Sequence, residues 1–116
     1  PNVPRTGIGV LVLSLTGYYR APEVKAGADY LLTRGFDSSY YYYALYYCSQ
    51  GMYQLGGEYW ERYATHMYEM MLKFQKPDGS WPPATGSEQA AGASYATAMS
   101  VLAMSVSYCQ LPIYQR

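Results

Sequence analysis

Three long stretches of this chain, residues 8–19, 39–53 and 94–108, contain no Asp, Glu, Lys or Arg. The helical segments between them carry charge on one side only. A helix without a charged face is buried on most sides, whereas a helix with one polar face lies outside. The order is therefore buried, exposed, buried, exposed, buried. That alternation predicts an all-α chain of helical hairpins, in which each unit buries its apolar face only against its neighbours.

Residues 60–71 give the clearest helical period. Trp60, Tyr63, Ala64, Met67, Tyr68 and Met71 share one face, and Glu61, Arg62, Thr65, His66, Glu69 and Lys73 take the other. Glu58 to Arg62 and Glu69 to Lys73 have the i,i+4 order that supports an exposed helix. The run from Ser39 to Tyr53 is rich in aromatic β-formers, but it is too long for a strand and shows no period of two, so helix is expected. Gly56 and Gly57 supply its stop. Ile8 to Tyr19 reads as another inner helix. Pro22 suits a first helical position, with Val24, Ala28, Leu31 and Leu32 inward and Glu23, Lys25, Asp29 and Arg34 outward. Ser94 to Tyr108 forms a third uncharged helix, rich in small residues and ended by Pro112. The expected organisation is one partial domain over 1–116: a hairpin at about 6–35, a second at about 39–75, a turn at 75–81 and a last helix at about 94–108.

With 116 residues, half of them apolar, the chain can build a core. Eight acids balance eight bases, so no basic patch points to nucleic acid or to an anionic membrane surface. Sixteen tyrosines stand against two phenylalanines. Tyrosine buries a large ring but keeps a hydroxyl that needs a partner, which suits cavity walls and interfaces. Val10 to Leu15 is far too short to cross a bilayer, and no signal peptide is evident. A start at Pro1 is read as a piece of a longer protein. Cys48 and Cys109 sit among apolar helical residues and read as buried free thiols. A disulfide between them would need an oxidising compartment, and the compartment is left open.

The turn Phe74-Gln75-Lys76-Pro77-Asp78-Gly79-Ser80-Trp81 combines turn formers with a Gln at the helix end and a Trp just beyond. Gln75, Asp78, Gly79 and Trp81 resemble the Gln-Trp motif of the prenyltransferase and squalene-oxidase repeat family, which includes terpenoid cyclases and protein prenyltransferase β subunits. The resemblance is strongest from Met67 to Tyr108. It implies a Gln75–Trp81 contact that latches neighbouring hairpins, and about two and a half hairpins of a partial αα toroid whose inner helices line a cavity. The first hairpin departs from the pattern, with Arg34-Gly35-Phe36-Asp37 in place of the Gln and Asp-Gly-Ser-Trp elements. The ending Leu111-Pro112-Ile113-Tyr114-Gln115-Arg116 is similar to that of bacterial repeat proteins of this kind, which implies a C-terminal piece.

No catalytic motif stands out. The Asp-rich acid motif of protonating cyclases is absent. The one histidine, His66, lies on a polar helix face, and a zinc site needs at least three protein ligands. No metal or cofactor is therefore expected. Gly86-Ser87-Glu88-Gln89 resembles the thioester motif of complement-type αα toroids, but Ser87 stands where the cysteine is required. It reads instead as a polar loop with Ser87 as a helix N-cap. A Ser87 nucleophile would need His66 as base. Asp37 and Asp78 are the loop acids available for paired-carboxylate chemistry on sugars, although Asp78 fits the turn and Asp37 fits a helix N-terminus. Tyr40, Tyr43 and Tyr47 share one stripe of a helix, and Tyr42, Tyr46 and Tyr53 fall near another. The first stripe either packs in the core or walls a site for an apolar, isoprenoid-like or carbocation-like ligand. The leading expectation is a binding or scaffold module, joined to further repeats or to itself. The alternatives are part of a terpenoid cyclase-like enzyme with upstream catalytic residues, or a carbohydrate-active αα-barrel enzyme.

Overall fold

The computed structural model describes residues 1–108 and is helical throughout, with no strand among the described residues. Five α-helices follow in order: α1 (Val3–Leu15), α2 (Pro22–Arg34), α3 (Tyr41–Leu55), α4 (Gly57–Phe74) and α5 (Gly92–Met104). Single 3-10 turns cover Gln89–Ala91 and Val106–Tyr108. The expected third helix thus starts earlier and stops earlier than its uncharged run. Cys109 and Pro112 lie outside the described residues.

Local chemistry explains the helix limits. Asn2 caps α1 by accepting from the Arg5 amide at 3.2 Å, and Pro4 lies in the first turn, where its missing N–H costs nothing. In α2, Pro22 opens the helix, Glu23 lies in the first turn and Arg34 in the last, matching the helix dipole at both ends. Gly56 (φ 74°) and Gly57 (φ 55°) hold the left-handed backbone that separates α3 from α4.

The helices pack in two rows. α3 is central, touching α1 on one side and α5 on the other, while α2 and α4 cover them from outside. α1, whose one charged residue is Arg5, therefore forms one row with the uncharged α3 and α5, and the two amphipathic helices form the other. In α4, Tyr63, Ala64, Met67 and Met71 are buried and Trp60 and Tyr68 half-buried, as the period predicts. Its polar face is exposed, but Glu58–Arg62 and Glu69–Lys73 close no ion pair. Arg34–Asp37 does, at 2.7 Å.

α1 and α3 approach closely at glycines. A Cβ on Gly51 would lie 2.8 Å from the Gly7 carbonyl oxygen, and one on Gly7 would lie 2.8 Å from the Cys48 sulfur and 2.9 Å from its backbone nitrogen. Small residues thus let the backbones of α1 and α3 come close together. At the other side, Trp81 joins α4 to α5. Its buried indole N–H donates to the Met71 carbonyl at 2.9 Å, and its backbone N–H donates to Thr97 Oγ1 at 3.0 Å.

Candidate functional site

α3 begins without a side-chain cap of its own, and its first turn holds no acid. The first N–H groups of a helix have no partner within the helix and require one elsewhere. Glu88 supplies it from the loop before α5. Its Oε2 accepts the Tyr42 amide at 2.7 Å and its Oε1 the Tyr43 amide at 2.9 Å. Tyr95, on the first turn of α5, donates its hydroxyl to the same Oε1 at 2.7 Å. The carboxylate is only 7 % exposed, yet three donors and the positive end of a helix meet its charge.

The loop is seated tightly. Ser87 N–H donates to the Ser39 carbonyl at 2.9 Å, and the two serine hydroxyls lie 3.3 Å apart. A Cβ on Gly86 would come within 2.6 Å of that same carbonyl oxygen, so only glycine allows the loop to lie this close to the approach of α3. Tyr42 fixes the loop's other part by donating its hydroxyl to the Pro82 carbonyl at 2.6 Å. This corrects two expectations. Ser87 does not cap α5, whose first turn follows Ala91 with no side-chain cap. Asp37 is not the acid at the head of α3. It pairs with Arg34, four residues short of the helix, and Glu88 holds that place instead.

A cleft of about 540 Å³ opens at this end of the inner row. The first turns of α1 give it Asn2, Pro4, Arg5 and Ile8. α3 gives Tyr40 and Tyr43, and the loop and α5 give Ser87, Glu88, Ala91 and Tyr95. The volume falls in the range of small-molecule sites, as does the mixture of apolar wall and few polar groups. Tyr40 is 51 % exposed and Tyr43 37 %, so both rings present surface rather than filling the core. The Tyr47 ring lies 4.8 Å from that of Tyr43 and supports it from the next turn. Of the tyrosine stripe, Tyr40 and Tyr43 therefore line the cleft, and Tyr47 backs them.

Burial first, and then the hydrogen bond to Glu88, hold the Tyr95 hydroxyl well above its ordinary pKa. Burial and the nearby Glu88 charge raise that of Tyr42 as well. Both phenols stay protonated donors at neutral pH.

The other candidates fall elsewhere. His66 lies on the exposed face of α4, its ring 4.8 Å from Phe36, in a shallow depression with Glu61, Arg62, Thr65 and Glu69. It does not share the cleft with Ser87. Asp78 stays in its turn, where Oδ1 accepts from the Ser80 hydroxyl at 2.6 Å and the Ser80 amide at 3.0 Å. Those bonds lower its pKa. Gln75 also serves the turn: its amide donates to the Gly79 carbonyl at 2.9 Å, where Gly79 takes φ 86°. The bonds that cross from this turn to the helices come from Trp81, and Tyr68 adds one between α4 and α5 by donating its hydroxyl to the Met104 carbonyl at 2.6 Å. Among the described residues, Glu88 is the one carboxylate in the cleft, no three His, Cys, Asp or Glu side chains gather as metal ligands, and no helix is long and apolar enough to cross a membrane.

Glu88 is the residue that sequence reasoning missed. The available signal was a tyrosine helix with no cap, beside an acid in a loop with no apparent task. Compared with protein families, curated proteins and solved structures, the chain matches none.

Proposed function

We propose that this chain is a binding module of helical hairpins, and that the cleft at the heads of α1, α3 and α5 takes a small molecule with an apolar face. The observation that carries the reading is the pair of exposed rings, Tyr40 and Tyr43, beside Ile8 and Tyr95 in one cleft of about 540 Å³. Exposed aromatic surface within a concave site has a ready use in ligand contact, because the ring buries much area at small entropic cost. The two-row packing and the Trp81 latch also support a hairpin repeat of the prenyltransferase and squalene-oxidase type, as does the Gln75–Trp81 resemblance. Binding rather than chemistry is favoured by the state of Glu88. Three donors already hold its two oxygens, which leaves them little lone-pair capacity for a substrate.

Fragment screening by NMR tests this, with the ring signals of Tyr40 and Tyr43 as reporters. Fragments with apolar faces should shift those signals first, and Tyr43→Ser should abolish the response. A library that leaves both rings undisturbed, or shifts only signals away from the cleft, would overturn the reading.

A further inference from the structure

We propose that the cleft binds a small zwitterion, with a quaternary ammonium seated among Tyr40, Tyr43 and Tyr95 against Glu88 and an anionic group at Arg5. This rests on the cleft being the ligand site, and it names the chemistry that fits there. Three tyrosine rings line one cleft with one carboxylate and one guanidinium. Aromatic faces attract cations through the ring quadrupole, and quaternary ammonium groups, which offer only methyl surface, are the ligands that such walls recognise. Glu88 adds a fixed negative charge that cannot swing away, because the Tyr42 and Tyr43 amides and the Tyr95 hydroxyl hold it. Of the helix ends at the cleft, Asn2 caps α1 and Glu88 itself covers α3, while α5 starts after Ala91 without a side-chain cap. The positive charge that remains is Arg5, whose guanidinium suits a carboxylate or phosphate. The cleft on the other side of α3 offers no such pairing. Its lining of Tyr41, Met70, Phe74, Trp81 and prolines contains no charged side chain.

Phosphocholine is the probe, titrated calorimetrically against the whole chain beside 3,3-dimethylbutyl phosphate, which has the same shape but a neutral head. Saturable phosphocholine binding is expected, with the isostere weaker by roughly tenfold. Tyr43→Leu should weaken binding roughly three- to thirtyfold, Tyr43→Phe should retain it, and Arg5→Gln should weaken it while leaving choline's affinity unchanged. Circular dichroism checks that each variant keeps its helices, and the side chains of both Arg5 and Tyr43 are exposed. Phosphatidylcholine vesicles form a separate arm: co-sedimentation identifies a lipid headgroup as the source, and binding of free phosphocholine alone a soluble one. Equal binding of the isostere overturns the cationic seat but leaves the cleft as a ligand site. Binding indifferent to both Tyr43→Leu and Arg5→Gln overturns the cleft itself. Lack of binding at millimolar phosphocholine overturns the zwitterion, and the fragment screen then decides the cleft separately.

Discussion

At the scale of residues, Cys48 in α3 and Glu88 in the loop at its head are both buried, with different consequences. Cys48 is fully buried at the α1 crossing, its sulfur 3.7 Å from the Val3 carbonyl. Burial pushes its thiol from the ordinary 9.0 up to about 12. The thiolate is the reactive form, so Cys48 in the folded chain should resist iodoacetamide at pH 8. The linkage has a definite sign. Between about pH 9 and 12 the unfolded chain has lost this proton and the folded chain keeps it. The contribution to stability is thus fully present below pH 9 and is lost as pH rises towards 12. Peptide mapping of alkylated Cys48, with and without denaturant, checks the first point. Fast labelling of the native chain at pH 8 would contradict it. Glu88 meets burial differently, with donors aimed at its carboxylate from two helices.

At the scale of elements, the turn between α4 and α5 depends on Trp81. The ring is buried, and its indole N–H is a second donor to the Met71 carbonyl, which also accepts the Gln75 amide at the end of α4. Trp81→Ala should cost about 3–5 kcal/mol, as large-to-small core changes do, and chemical denaturation measures it. An unchanged unfolding midpoint would show that the latch lies elsewhere. This part of the fold was legible because its causes are local: the three-four spacing of Tyr63, Met67 and Met71, the Asp78-Gly79 turn and a large ring just beyond. The head of α3 was not legible. Glu88 reaches Tyr42 across 46 residues, and no spacing rule joins an acid in one loop to the amides of another helix. Ser87 misled for the same reason, since its local pattern suits a cap while its actual partner is Ser39. The Gly7–Gly51 approach was hidden likewise, because periodicity tells which face is buried but not which helix covers it.

At the scale of the molecule, the row formed by α1, α3 and α5 has two flanks. Among the described residues, α3 is covered on both sides, whereas α1 and α5 each pack extensively within the row against α3 alone. Val12 on α1 is 50 % exposed and Val101 on α5 52 %, with Leu15 and Leu102 beside them also exposed. These are the surfaces on which further hairpins of a repeat array would stack, and terminal repeats normally turn a polar face outward for solubility. Among the described residues, α1 after Arg5 and the whole of α5 carry no charged side chain, and apolar patches of this kind mark interfaces. The chain should therefore associate with itself through these flanks. Light scattering should show an average mass that rises with concentration, and the paired change Val101→Lys with Leu102→Glu should return it towards that of a single chain. Both positions are exposed, so the substitutions leave the interior untouched and the helix content should hold. A constant single-chain mass at high concentration, indifferent to the paired change, would mean that the row is complete as it stands rather than one arc of a larger array.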